Sequence, residues 1–92
     1  MGTHELKTWP ESFEPSWFGH KKAEFRIDDR GFRVGDGLFL REWIPGKCLY
    51  TGRAIRAHTT HILRGPSFGV PEQFVMMSFD VVQRFKGPNE IF

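Results

Sequence analysis

Gly19-His20-Lys21-Lys22-Ala23-Glu24-Phe25-Arg26 is the stretch on which the reading of this chain turns. A turn glycine precedes two lysines, and a carboxylate and a guanidinium follow, two residues apart. Strand alternation places Phe25 and Ile27 on one face and Glu24 and Arg26 on the other. A Lys, a Glu and an Arg around one strand entrance can hold an anion and hydrogen-bond a polar ring together. The same residues can equally form a solvated ion pair worth ~0–1 kcal/mol.

Upstream, Thr3 to Thr8 reads as a short strand with Leu6 inward. Trp9-Pro10-Glu11-Ser12 reads as a helix start, with Pro10 in the first turn and acids near the positive end. Phe13, Trp17 and Phe18 recur at helical spacing and are expected to pack on a sheet. Pro15 lacks an N–H, so the helix is expected to be short or kinked, and Gly19 is its stop.

Downstream, residues 22–28 read as a strand and Asp29-Arg30-Gly31 as a turn. Phe32 to Gly37 is a second turn region that feeds a strand from Leu38 to Ile44. Pro45-Gly46-Lys47 turns the chain again, and a long Thr- and Ile-rich strand runs from Tyr50 to Leu63. Residues 64–71 form a loop. Phe74 to Val82 is the last strand, with Val75, Met77, Phe79 and Val81 on one face. The domain is expected to span residues 1–86, with a flexible tail over 87–92. Five strands and one short helix indicate an α+β, mostly β fold, or a small barrel.

Ninety-two residues, 39% hydrophobic and 15% aromatic, suit one domain with one small core. The net charge of +2 favours polyanions only weakly. The lone Cys48 excludes an intrachain disulfide and points to a reducing compartment. No apolar run approaches a membrane span, so a soluble cytoplasmic protein is expected.

His58-Thr59-Thr60-His61 suggests a metal pair, but residues three apart on a regular strand face opposite sides. No metal and no cofactor is expected, and Cys48 reads as an inert thiol. Arg56 and Arg64 are expected on one face of the long strand, with Arg53 on the other. They are either a charged edge or a stripe tracking a nucleic-acid backbone. Trp9, Trp43, Phe68 and Phe74 could stack on bases. Phe68 is the best placed, in a Gly/Pro/Ser loop that offers it little to pack against. Gly35-Asp36-Gly37 is a turn and no phosphate loop.

The order G-x-K-x-x-E-x-R, then Val34-Gly35-Asp36 and a strand, resembles the ASCH domain of the PUA-like superfamily. The resemblance covers residues 3 to about 82 and includes His4-Glu5-Leu6-Lys7, Leu40-Arg41-Glu42-Trp43 and Tyr50-Thr51-Gly52-Arg53. It is nearest to small uncharacterised ASCH-like domains of phages and bacteria, proposed to bind RNA. Pro15 departs from the helix usual there.

The resemblance implies a PUA-like pseudo-barrel of about five strands, its one helix covering an open side. It also implies a cleft where the first strand meets the Gly19–Arg26 segment. Ligand-binding candidates are then His4, Lys7, Lys21, Glu24, Arg26 and Phe68. Lysines would attract phosphate, Glu24 would accept from an exocyclic amine or act as general base, and His4 would donate or accept a hydrogen bond.

The function expected is a nucleic-acid binding module for RNA or a nucleotide. One alternative is a small hydrolase of a modified nucleoside or RNA, with Lys21 and Glu24 as catalytic candidates. Similar amidohydrolases have a Thr where this chain has Glu24, and Glu72 only weakly replaces their later Glu. Another alternative is a phage-type protein-interaction module using Phe68 and Val70.

Overall fold

Alternation decides the sheet. In the last strand Val75, Met77 and Phe79 are buried while Met76, Ser78 and Asp80 are not. In the strand after Gly35-Asp36-Gly37, Leu38 and Leu40 are buried and Phe39 and Arg41 are half-exposed. One inward row per strand closes a single core of Leu6, Phe13, Phe32, Leu38, Leu40, Ile55, Ala57, Val75, Met77 and Phe79.

The computed structural model describes residues 2–87. Its elements are β1 (Thr3–Thr8), α1 (Pro10–Trp17), β2 (Ala23–Ile27), β3 (Gly37–Ile44), β4 (Leu49–Arg64) and β5 (Phe74–Phe85). The expected tail lies, from residue 88, outside the described residues. The five strands form one sheet in the order β1-β3-β4-β5-β2, with β1 parallel to β3 and the other pairs antiparallel. It curls into a half-barrel with one short helix, an α+β, mostly β fold. No helix among the described residues is long and apolar enough to cross a membrane.

Curling brings the edge strands β1 and β2 together without a ladder between them. Two guanidinia bridge the seam: Arg26 Nη2 donates to the Lys7 carbonyl and Arg30 Nη1 to the Glu5 carbonyl at 2.7 Å. Carbonyls two residues apart point to the same side of a strand, so one free edge offers both acceptors.

α1 begins at Pro10, where the missing N–H costs nothing. Pro15 lies inside this eight-residue helix without ending it. Gly19, at φ +82°, turns the chain, and the Pro15 carbonyl accepts from the N–H groups of His20 and Lys21 at 2.8 and 3.0 Å. Phe13 is buried and Trp17 packs on the core, but Phe18 is 64% exposed. Phe18 is the residue just past the last helical turn, where the chain leaves the helical path, so the expected packing of all three aromatics holds for two.

β4 corrects two expectations. Its pairing with β5 shifts between Arg56 and Ala57 and again between Thr59 and His61. The second shift leaves Thr60 as an extra residue, and an extra residue reverses facing beyond it. Arg56 therefore lies on the outer face opposite Phe39, and Arg64 lies on the inner side opposite buried Val75. The two do not share a face. His58 and His61, expected on opposite faces, both fall outside, opposite Asp80 and Ser78. Among the described residues no three His, Cys, Asp or Glu side chains gather as a ligand set.

Candidate functional site

Glu24 is the unusual residue of β2. Its strand partner Met77 faces the core, so Glu24 turns inward and is 4% exposed. Phe25 and Ile27 take the outer face, 53% and 52% exposed, with Phe25 stacked on Phe74 at 5.2 Å. The polar row is thus the covered one, the reverse of an ordinary half-buried strand. A buried carboxylate needs partners, and Glu24 has them. Lys21 Nζ donates to Oε1 at 3.1 Å and Arg26 Nε to Oε2 at 2.6 Å. Lys21 is positioned by the bonds at the end of α1, and Arg26 is held at its other end by the Lys7 carbonyl. Two cations against one carboxylate leave a unit of positive charge at the strand entrance.

Beside this group a concavity of about 330 Å³ opens between β1, the start of α1 and β2. Its wall includes Glu24, Arg26, Lys7, Trp9 and the hydroxyl-bearing Thr8 and Ser12. Lys21 meets it through Glu24. Lys7 contributes at the rim, while its ammonium lies 4.3 Å from the Trp43 ring centroid on the outer face. His4 is not among the lining residues. It is on the inner side of β1, with Nε2 donating to Asp36 Oδ2 at 2.7 Å and its ring against Phe32 at 4.6 Å. Phe68 is 91% exposed in the β4–β5 loop and does not line the concavity. Val70, named with it as an apolar patch, is buried.

Sequence reading missed two polar knots. Asp36 accepts from His4, from the Arg33 N–H at 3.0 Å and from the Gly2 N–H at 3.1 Å. Burial would raise its carboxyl, but these bonds outweigh burial and lower it from the ordinary value. Glu42, buried on β3, accepts from Thr51 Oγ1 at 2.7 Å and from Arg53 Nε and Nη2 at 2.9 and 3.0 Å. Burial opposes ionisation here too, yet Arg53 and Thr51 hold the Glu42 carboxyl below its ordinary range. Arg53 is correspondingly raised, chiefly by Glu42. It also reaches Glu14 of α1 and lies over the rings of Phe13 and Trp17 at 5.2 and 5.0 Å. Through Glu14, Arg53 ties the helix to the sheet.

The sequence motifs therefore pair in space. His4 meets Asp36 of Val34-Gly35-Asp36, Glu42 of Leu40-Arg41-Glu42-Trp43 meets Thr51 and Arg53 of Tyr50-Thr51-Gly52-Arg53, and Arg26 meets Lys7.

Comparison with known proteins finds a relative in Escherichia phage P2, described as an uncharacterized 12.9 kDa protein in the GpA 3′ region. It is 41% identical over 59 residues, which cover 64% of this chain and 52% of that protein. The chain thus matches about half the length of this curated relative. Residues 3–79, which hold all five motifs, match one family, and the chain belongs to it: the domain of unknown function DUF3850.

Proposed function

We propose that this chain is a small cytoplasmic nucleic-acid-binding module of ASCH-like, PUA-like architecture, whose concavity takes a nucleotide or an unpaired base of RNA. One observation supports this above all. A buried carboxylate, Glu24, stands in the wall of a solvent-open concavity with each oxygen held by a cation. An ionised carboxylate has about four acceptor positions. Lys21 and Arg26 occupy two, so Glu24 retains capacity for an exocyclic amine or ring N–H at the mouth. Trp9, more than half exposed at the rim, offers a stacking surface. Lys21, paired with Glu24 beside the concavity, supplies charge for a phosphate.

A thermal-shift screen of nucleosides, modified nucleosides, nucleotides and short RNAs tests this reading. A ligand at 100 times its Kd should stabilise the fold by about 2.7 kcal/mol. Ligands with an exocyclic amine should dominate the hits, and Glu24→Gln should lose that preference. No shift with any member of the set would refute the proposal.

A second reading, a hydrolase of a modified nucleoside or RNA, is favoured by one specific feature. Two hydroxyl-bearing residues, Thr8 and Ser12, line the concavity that holds Glu24. Multiple turnover by the wild type, lost in Glu24→Gln while binding persists, would establish it, with a loss of ~10²–10⁴ in rate.

A further inference from the structure

The outer face of the sheet, opposite the core, carries a cluster of rings and cations that the concavity does not use. Trp43 and Tyr50 meet edge to face at 4.8 Å on β3 and β4. The Lys7 ammonium lies over Trp43, and the Arg41 guanidinium carbon lies over the Tyr50 ring, 3.6 Å from its centroid. Glu5 orients Arg41 at 3.1 Å. Farther along the same face Phe39 and Phe85 meet at 5.8 Å, above a groove of about 460 Å³, and exposed Arg56 stands opposite Phe39.

We propose that this face is a platform for single-stranded nucleic acid, holding the nucleotides next to the base that enters the concavity. The proposal rests on the concavity reading only for where the strand enters. Every base has a π-face, so rings on a sheet bind single strands without choosing sequence. Arg guanidinium groups stack on bases, and the one held over Tyr50 brings such a group to this face. Lys7, Arg41 and Arg56 against Glu5 leave the cluster positive, as a phosphate backbone requires. Phe39 and Trp43 are four residues apart on β3, about 13 Å at strand rise. That exceeds the 3.4 Å rise per nucleotide of a stacked strand, so more than one base fits. Lys7 joins the two surfaces, since it belongs to the rim of the concavity and its ammonium lies on this face.

The test compares nucleoside monophosphates with mixed-sequence 12-mers of single-stranded RNA and DNA at low salt. Binding is followed by anisotropy and by tryptophan fluorescence. The 12-mers should bind more tightly than any monophosphate. They should quench the wild type more than the monophosphates do, and Trp43→Phe should lose that excess. Tyr50→Ala should weaken the 12-mers about 5- to 100-fold and leave monophosphate binding unchanged. Arg56→Ala, at an exposed position that does not threaten folding, should weaken them and lower the salt slope by about 0.7 on a single strand.

Equal affinity for monophosphates and 12-mers would overturn the platform while sparing the concavity. So would 12-mer affinities untouched by both Tyr50→Ala and Arg56→Ala. The opposite pattern, with no monophosphate bound and 12-mer binding still lost in Tyr50→Ala, would sustain the platform and refute the concavity reading. Failure of every 12-mer to bind would overturn it in favour of a protein partner on this face.

Discussion

Arg53 and Glu42, eleven residues apart in the chain, meet in a two-bond fork across β3 and β4. Both geometry and burial distinguish this pair from the exposed ion pairs of the surface, such as Arg30 with Asp29. Removing one partner leaves the other desolvated and uncompensated. Arg53→Ala should therefore lower unfolding free energy by about 2–4 kcal/mol, somewhat less than for fully buried pairs because a quarter of the Arg53 side chain is exposed. Arg53→Lys keeps the charge but not the fork, and should cost about 1–2 kcal/mol. Urea melts of the three proteins measure both. Equal stability of wild type and Arg53→Ala would show that the fork does not brace the helix.

Acid should expose the same knots. Glu42 and Asp36 both lie below their ordinary values of 4.5 and 3.8. A carboxyl depressed in the folded state binds its proton at higher pH in the unfolded chain. Its contribution is thus fully present above about pH 5 and falls as pH drops toward the folded pKa. Stability should be flat in this respect from pH 7 to about 5 and then decline. Glu42→Gln should start lower at pH 7 and decline less steeply below about pH 5. Parallel curves for the two proteins would contradict the depressed Glu42 carboxyl.

Thr59 is wholly buried and its Oγ1 has no hydrogen-bond partner among the described residues. An orphaned hydroxyl in an apolar setting is a penalty that an isosteric methyl removes. Thr59→Val should raise stability by about 1 kcal/mol, or about 4–8 °C in Tm for a domain of this size. A lower Tm would mean that the hydroxyl has a partner in solution.

Gly65 is held by space. A Cβ there would stand 1.8 Å from the Pro71 carbonyl oxygen and 2.8 Å from that of Val70. Both neighbours are backbone, so relief requires the β4–β5 loop to shift. Gly65→Ala should cost about 1–3 kcal/mol, whereas Gly46→Ala, where a Cβ meets nothing within 4 Å, should cost little. The difference in Tm between the two variants is the readout.

The seam makes the last prediction. Arg26 joins Glu24 on its own strand to the Lys7 carbonyl on the facing edge. Arg26→Ala removes a bridge and a counterion together, so amide exchange in β1 and β2 should accelerate more than in β4 and β5. Uniform acceleration across the sheet would mean that Arg26 contributes to global stability alone.

The sequence by itself determined the succession of elements, because those signals are local. Pro10 and Gly19 bound the helix, Pro45-Gly46 marks a turn, and the alternation from Val75 to Phe79 marks a strand with one inward row. It also put Lys21, Glu24 and Arg26 in one neighbourhood, since they lie within six residues. Only the tertiary structure decided which face of β2 turns inward. Alternation separates Glu24 from Phe25 but does not say which is covered; that follows from pairing with Met77 against the core. The extra residue at Thr60 was equally illegible, because nothing in Thr59-Thr60-His61 marks a bulge, yet it places His58 and His61 on one face and parts Arg56 from Arg64. The Glu42–Arg53 fork, the bond from His4 to Asp36 and the bridged seam depend on curling the sheet and stacking its strands. Their partners lie 11 to 32 residues apart, beyond the reach of any local propensity.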